Sequence, residues 1–308
     1  MRCHSGIPAL AVLLVLTTRV SATESIEFVT EHLPEIAMDN RYASLPLWDD
    51  CGGQKPCVGI QAGYQRTHAG TFAIDGPLLA LSMSRPLGAT HRLTGFVFYD
   101  AFDLTGGTER RPLDITFATP PLSLPAAAEF AGLDGNATDR GLGLAVNGAS
   151  DWRWLPAFQW SAGLLWQRLE LRRYSFGFQV VGGPDAGAAG TLDYGATYSN
   201  FAPFLGVSWP GRHGDWGFAP RVHVALPLPR RSVQGRITGS GFDLAGDAAT
   251  NGAGKHFGDP SMSVGLDVSY LPWRLTLDLG TTLGQALIET RIHEGVSHNW
   301  LLSAHWTF

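Results

Sequence analysis

A strict alternation of apolar and polar residues recurs along this chain and constrains its fold more than any other feature. In SMSVGLDVSY the apolar residues Met262, Val264, Leu266 and Val268 occupy every second position, and serine, glycine and aspartate fill most of the positions between them. A period of two residues is typical of a β-strand whose two faces lie in different environments. We therefore expect an all-β chain.

About ten segments show this pattern. They are residues 58–68, 76–87, 91–104, 139–149, 158–174, 196–209, 215–227, 260–271, 274–288 and 298–308. The connectors after the second, fourth, sixth and eighth segments are short, and those after the third, fifth and seventh are long. An even number of strands with alternating connectors is typical of barrels that cross a bacterial membrane. Segments 91–104 and 158–174 allow either face to point outward, so we expect eight to twelve strands.

The polar faces of these segments distinguish a membrane barrel from a soluble sandwich, which would also alternate. They are rich in glycine and serine and carry isolated charges, whereas only 16% of the whole chain is charged. Such faces suit a narrow lumen better than an open aqueous surface. The sequence therefore predicts a transmembrane antiparallel up-and-down β-barrel with its apolar residues outside.

Tryptophan placement supports this prediction. In a barrel of this topology most of the tryptophans would come to the end with the short connectors, where they would form an aromatic belt at the membrane boundary. They are Trp152, Trp154, Trp160, Trp209, Trp216, Trp273 and Trp306. Trp166 and Trp300 are expected at the opposite belt.

The N-terminal part is predicted to have two pieces. Residues 1–22 have a basic start, an apolar run and small residues at the end, which indicate a secretory signal peptide cleaved after Ala22. Residues 23–57 would then precede a barrel of residues 58–308, lying either in the periplasm or in the lumen as a plug. Cys51 and Cys57 in CGGQKPC predict a disulfide in an exported chain, and a metal pair is disfavoured because further ligands are lacking nearby.

Two long connectors are expected outside the membrane. Residues 105–138 are too apolar for a solvated tether, so they would fold over the barrel mouth or reach inward as a constriction. Residues 228–259 contain Arg230, Arg231 and Arg236, which either contact lipopolysaccharide phosphates or belong to a solvated loop.

The end of the chain, NWLLSAHWTF, resembles the C-terminal assembly signal of Gram-negative outer-membrane β-barrels. The residues that carry the resemblance are Trp300, Leu302, Ala304, Trp306 and Phe308. It implies a place in the outer membrane, with its lipid and lipopolysaccharide as partners, and recognition by the barrel-assembly machinery. The segments AGLLW and NFAPFLGVSWPGRHGDWGF are similar to parts of small OmpA/OmpW-type barrels.

Several polar residues are predicted to face the lumen. They are Arg92, Asp100, Arg221, His223, Asp267, Arg274, Asp278 and His305. Buried charges must be paired or solvated, so this set forms either a salt-bridged core or a charged eyelet. We expect a narrow porin-like channel for small solutes or ions. The alternative is a structural or surface-binding barrel with a filled lumen.

A lipid or peptide hydrolase is a third hypothesis, because Ser303 and His305 share a strand face. Other candidate groups are His256 with Asp259, and Glu289 with His293 and Glu294. Each has an ordinary explanation as a lumen or loop residue, so we expect no catalytic residue, metal or cofactor. The formal net charge of −5 argues against a nucleic-acid partner.

Overall fold

The computed structural model describes most of the predicted barrel and a short piece of the N-terminal segment. The described residues are 38, 40–45, 47, 55–69, 72–106, 109–118, 121–150, 157–180, 189–239, 242–246, 260–282 and 298–308. Along the outer parts of the longest strands only the backbone is described. Within these ranges, no helix has the length and apolar character needed to cross a membrane.

Fourteen strands and two short 3-10 helices make up the described chain. The strands are β1 (Cys57–Ala69), β2 (Phe72–Pro86), β3 (His91–Gly106), β4 (Glu109–Ala118), β5 (Pro121–Ser150), β6 (Phe158–Val180), β7 (Ala189–Ser208), β8 (Gly211–His213), β9 (Trp216–Ala225), β10 (Leu228–Gly239), β11 (Phe242–Gly246), β12 (Ser261–Tyr270), β13 (Leu275–Thr282) and β14 (His298–Thr307). The 3-10 helices are Asn40–Ser44 and Leu271–Trp273.

The strands close into a barrel because the last one pairs with the first. β14 runs antiparallel to β1, with Gly59 opposite Thr307. β9 and β10 both pair with β7, at successive positions along it, so together they form one wall. The walls are β1, β2, β3, β5, β6, β7, β9 with β10, β12, β13 and β14. The prediction of a closed antiparallel barrel of about ten strands is confirmed.

Short connections lie at the end of the barrel that also holds the C-terminus. β12 and β13 are joined by the Leu271–Trp273 helix, which ends at Arg274 in the left-handed region with φ of 49°. Arg274 is exposed in this turn. The prediction that Arg274 lines the lumen is therefore wrong, because the period of two breaks where the chain turns and no longer determines which way a side chain points.

Aromatic rings gather at this short-turn end. Trp216 and Trp273 each contact Tyr270, with ring centroids 4.9 Å and 5.2 Å apart. Trp209 and Trp306 are also exposed. Trp152 and Trp154 lie outside the described residues. The described aromatics are placed as an interfacial belt requires.

At the opposite end several strands continue far beyond the length needed to cross a bilayer. β5 has 30 residues, β6 has 23 and β7 has 20, whereas about ten suffice for a membrane strand. β4 pairs with the outer part of β5, and β10 turns back as β11. The predicted connector at 105–138 is thus strand over β4 and the outer part of β5, where pairing satisfies the backbone hydrogen bonds. That these residues fold over the mouth or constrict it stays a prediction.

The predicted loop at 228–259 is strand over β10 and β11, and residues 247–259 lie outside the described residues. The side chains of Arg230, Arg231 and Arg236 lie outside what the structure describes. Contact of these arginines with lipopolysaccharide stays a prediction.

The outer surface of the barrel is apolar. Leu279 is 54% exposed, whereas its neighbour Asp278 on the same strand is 5% exposed and points inward. The same arrangement exposes Ile60, Leu81, Val97, Leu144, Leu205 and Leu302. A continuous apolar surface of this kind is unfavourable in water and suits lipid. The exposure pattern also assigns the faces of β3 and β6, which the sequence left open. Val97 and Leu164 point outward, whereas Phe96, Phe98 and Leu165 are buried.

Candidate functional site: the barrel lumen

The lumen has two sides of different chemistry. The polar side belongs to β9, β12, β13, β14 and β1. Its buried polar side chains are Arg221, His223, Ser261, Ser263, Asp267, Asp278, Ser303, His305, Thr307, Gln61, Gln65 and Thr67. The apolar side belongs to β2, β3, β5, β6 and β7. Most of its buried side chains are apolar, among them Leu78, Ala80, Phe96, Phe98, Ala145, Leu165, Leu169, Ala202 and Phe204. It also holds the buried polar side chains Asp100, Asp139, Asn147, Gln167 and Asn200.

The described part of the N-terminal segment lies between these two sides. Arg41, Tyr42, Ala43, Ser44, Leu45 and Leu47 are all buried. We call residues 41–45 and 47 the lumen segment. Its apolar members Tyr42, Leu45 and Leu47 belong to one buried cluster with the apolar side of the barrel. The barrel therefore encloses a piece of its own chain.

Arg221 organises the polar side. Its guanidinium forms ion pairs with Asp267 on β12 and Asp278 on β13, and it donates a hydrogen bond to the carbonyl of Ala43. All three charged side chains are buried, so each charge has a partner, as a low-dielectric interior requires. The cluster thus ties three walls to the lumen segment.

Two glycines make this arrangement possible. A Cβ at Gly265 would lie 2.6 Å from a guanidinium nitrogen of Arg221. A Cβ at Gly280 would lie 2.7 Å from the carbonyl oxygen of Ala43. The alternation that places glycine on the inner faces of β12 and β13 therefore leaves room for the arginine and for the lumen segment.

A second group of hydrogen bonds joins the lumen segment to the seam between β14 and β1. The hydroxyls of Ser44 and Ser303 are 3.1 Å apart. Gln61 Nε2 donates to Ser303 Oγ at 3.0 Å, and Ser303 Oγ donates to Asp278 Oδ2 at 3.4 Å. This group connects the seam that closes the barrel with the Arg221 cluster.

Tyr42 crosses the lumen. Its backbone carbonyl accepts a hydrogen bond from Ser263 Oγ at 2.9 Å and lies 3.1 Å from His223 Nδ1 on the polar side. On the opposite side its hydroxyl donates to Gln167 Oε1 at 3.1 Å and accepts from Asn200 Nδ2 at 2.8 Å. One residue thus links β9 and β12 to β6 and β7.

Arg41 also contacts both sides. Its guanidinium lies 3.5 Å from Asp100 Oδ1, donates to Gln61 Oε1 at 3.3 Å, and stacks 4.5 Å above the centre of the Phe98 ring. A cation over an aromatic face is an additional stabilising contact. Arg41 therefore supplies the positive partner that the buried carboxylate of Asp100 needs.

The partners of the lumen segment surround it. Seven walls make polar contacts with the lumen segment. They are β1 through Gln61, β3 through Asp100, β6 through Gln167, β7 through Asn200, β9 through Arg221 and His223, β12 through Ser263, and β14 through Ser303. Asn147 on β5 adds a hydrogen bond of 2.9 Å to the carbonyl of Leu47. These contacts come from eight of the ten walls, so the segment extends across the lumen rather than along one wall.

Most of the predicted lumen residues point inward. Asp100, Arg221, His223, Asp267, Asp278 and His305 are buried. Arg92 is half-buried at the short-turn end, where it donates to Ser84 Oγ at 2.9 Å and to the carbonyl of Lys55 at 3.0 Å. A small cavity of about 140 Å³ lies beside it, between Leu47 and Asn147.

Sequence reasoning missed the members of the network that come from the lumen segment, Arg41, Tyr42 and Ser44. No pattern in residues 23–57 indicates which of them would be buried. It also missed Gln61, Gln167 and Asn200. Those three could have been found, because each lies next to an outward-facing apolar residue, Ile60, Trp166 and Phe201 respectively, and the period of two then places it inside.

The remaining predicted sites have different outcomes. In β14, Trp300, Leu302 and Trp306 are exposed on the outer surface and Ala304 is half-buried, and Phe308, directly after the strand, is also exposed. Their recognition by the assembly machinery stays a prediction. Cys57 begins β1, but Cys51 lies outside the described residues, so their disulfide also stays a prediction.

The hydrolase candidates gain no support from the geometry. Ser303 Oγ is engaged by Ser44, Gln61 and Asp278, and His223 Nδ1 faces the Tyr42 carbonyl. The groups around His256 and His293 lie outside the described residues. Among the residues that the structure describes, no cluster of three His, Cys, Asp or Glu side chains is arranged to hold a metal ion.

No protein-family model matches the chain, and no curated protein matches it either. Among solved structures, it is similar to a major outer membrane protein from Thermus thermophilus, at 9% identity over 82% of this chain and 100% of that one, with a TM-score of 0.35. The transport unit of the autotransporter AIDA-I from Escherichia coli is 10% identical over 89% of this chain and 96% of that one, with a TM-score of 0.31.

A deletion mutant of TodX, a monoaromatic hydrocarbon channel, is 9% identical over 83% of this chain and 90% of that one, again with a TM-score of 0.31. Scores this low carry no inference about function.

Proposed function

We propose that this chain is an outer-membrane β-barrel whose lumen is closed by its own N-terminal segment, and that it serves as a structural or surface-binding barrel. The observation that carries the proposal is the set of contacts from the lumen segment to eight walls. A lumen crossed by a hydrogen-bonded segment disfavours the open porin-like channel. Export by the signal peptide, with cleavage after Ala22, belongs to the same proposal.

The strand lengths support the surface-binding part of this proposal. β5, β6 and β7 continue beyond the apolar band at the end opposite the short turns, and β4, β10 and β11 extend the same sheet. In outer-membrane barrels the long connections face the outside of the cell. One wall of the barrel would therefore project from the membrane as a sheet, which is a surface for contact with a partner.

Planar-bilayer conductance tests the closed lumen. The full-length mature protein is expected to give no steady channel. A variant lacking residues 38–47 is expected to conduct, because it removes the contacts that cross the lumen. Folding of both proteins is checked by their heat-modifiable migration on gels. Stable open channels from the full-length protein would contradict the proposal and support a narrow porin-like channel instead.

The deletion variant makes a further prediction about ion selectivity. Removing the lumen segment also removes Arg41, so the buried lumen side chains that the structure describes retain the arginine Arg221 and four carboxylates. These are Asp100, Asp139, Asp267 and Asp278. A lumen with this balance of charge selects cations. The reversal potential measured in a salt gradient should therefore have the sign of a cation-selective pore. An anion-selective or unselective pore would contradict the assignment of these residues to the lumen.

A further inference from the structure

A cluster of three arginines and one glutamate lies on the outer wall of the barrel, away from the lumen. Arg140 belongs to β5, and Arg168, Glu170 and Arg172 belong to β6. These residues occupy the outward-facing positions of their strands, since the intervening Leu169 is buried. We call them the outer arginine cluster.

One carboxylate holds all three guanidinium groups in place. Glu170 forms ion pairs with Arg140 Nη2 at 2.9 Å, Arg168 Nε at 3.0 Å and Arg172 Nη2 at 3.7 Å. The arginine side chains remain 42–59% exposed. Three positive charges against one negative charge leave a formal excess of two. The cluster is therefore ordered, accessible and positively charged.

The cluster begins where the apolar band of the barrel ends. Arg140 and Arg168 face each other across β5 and β6, and Tyr99 on β3 lies next to Arg140. The next row of outward-facing residues toward the short turns is entirely apolar. It consists of Val97, Leu142, Trp166 and Phe201, all exposed. The outer wall thus changes from apolar to basic within two residues along β5 and β6, as it does where acyl chains give way to lipid headgroups.

We infer that the outer arginine cluster binds a phosphate group of an anionic lipid in the outer leaflet, with the acyl chains of that lipid packed against Trp166 and Phe201. Guanidinium groups bind phosphate oxygens in bidentate fashion, and Glu170 orients them before the lipid arrives. The aromatic row contributes an apolar contact that a free phosphate lacks. The site depends on the barrel spanning a membrane, but not on closure of its lumen.

The experiment measures binding of phosphorylated lipid to the full-length chain in zwitterionic detergent. The probe is bisphosphorylated lipid A, and the same lipid without its phosphates is the reference. Each of Arg140→Gln, Arg168→Gln and Arg172→Gln should weaken binding of the phosphorylated lipid about fivefold, and the triple variant about a hundredfold, because a basic residue near an anionic lipid surface contributes about that factor. Arg85→Gln, at an exposed position near the short-turn end of β2, is the matched control and should bind as the wild type does.

Glu170→Gln separates a lipid site from a merely structural ion-pair cluster. The amide oxygen of glutamine still accepts hydrogen bonds from the arginines, and the formal charge excess rises from two to three, so lipid binding should tighten several-fold. A cluster that exists only to hold β5 and β6 together would bind no more tightly. Inorganic phosphate at millimolar concentration should fail to displace the lipid. Equal binding of the dephosphorylated lipid, unchanged binding by the triple variant, or displacement by inorganic phosphate would each overturn the inference. Heat-modifiable gel migration verifies that every variant is folded.

Discussion

The two sides of the lumen hold the same segment by different physical means. On the polar side, buried charges and hydrogen bonds centred on Arg221 meet the backbone of Ala43 and Tyr42. On the apolar side, the Tyr42 and Leu45 side chains belong to a packed cluster that includes Phe96 and Leu165. Apolar burial supplies net stabilisation, whereas a buried ion pair roughly offsets its own desolvation and mainly fixes an arrangement. We conclude that the apolar side stabilises the closed lumen, and that the polar side determines where the lumen segment lies within it.

The largest effect is expected from Arg221→Met. It removes one cation and leaves Asp267 and Asp278 buried together without it, which costs about 3–5 kcal/mol. The free energy of unfolding from lipid vesicles in urea measures this loss. Arg212→Met changes an exposed arginine in β8 and should have little effect. Equal stability of the two variants would mean that the Arg221 cluster is solvated.

Leu165→Ala and Leu164→Ala compare the contribution of a lumen-facing leucine to stability with that of a lipid-facing leucine on the same strand. Leu165 is fully buried, while its neighbour Leu164 is 48% exposed to the outside. Truncating the buried residue leaves a cavity and should cost about 3 kcal/mol. Leu164→Ala should cost less, about 2 kcal/mol, because it loses the transfer of its side chain from water to lipid but leaves no cavity, since lipid fills the space. A larger loss from Leu164→Ala, measured by the same unfolding assay, would reverse the assigned faces of β6.

Tyr42→Phe tests the link between the two sides and should have the smallest effect of the three. It removes the hydroxyl that bonds to Gln167 and Asn200 but keeps the ring. The expected cost is about 1 kcal/mol, because those two amides still bond to each other at 3.1 Å. Tyr99→Phe, at an exposed outer position, is the control and should leave the free energy of unfolding unchanged. A loss as large as that of Leu165→Ala would show that the hydroxyl, and not packing, holds the segment on the apolar side.

The polar side is also the part of the lumen that the sequence predicts best. β9, β12, β13 and β14 alternate cleanly, so the inward position of Asp267 or Asp278 follows from the period of two. β3 does not alternate in this way, because Phe96, Val97, Phe98 and Tyr99 are all apolar or aromatic. The pattern cannot tell which of them face lipid, and only strand pairing around the closed barrel decides it.

The closed lumen itself lies beyond what the pattern could predict. Alternation establishes that β-strands have an inner face, but it carries no information about what fills the space between those faces. The lumen segment is too short and irregular for any periodicity, and its burial depends on contacts with residues more than a hundred positions away, such as Gln167 and Ser303. The long hairpins were missed for a related reason, since outside the membrane a strand has no need to alternate.

A designed disulfide tests the central claim, that the lumen segment lies inside the barrel against its polar side. The hydroxyl oxygens of Ser44 and Ser303 are 3.1 Å apart, so cysteines at both positions are close enough to bond. In the folded, oxidised Ser44→Cys/Ser303→Cys variant, peptide mass mapping should recover a cross-linked peptide joining the two positions. The matched pair Ser44→Cys/Ser161→Cys, which directs the second cysteine to β6, should give none. Maleimide labelling of both introduced thiols in the folded Ser44→Cys/Ser303→Cys barrel, with no linked peptide, would contradict the account.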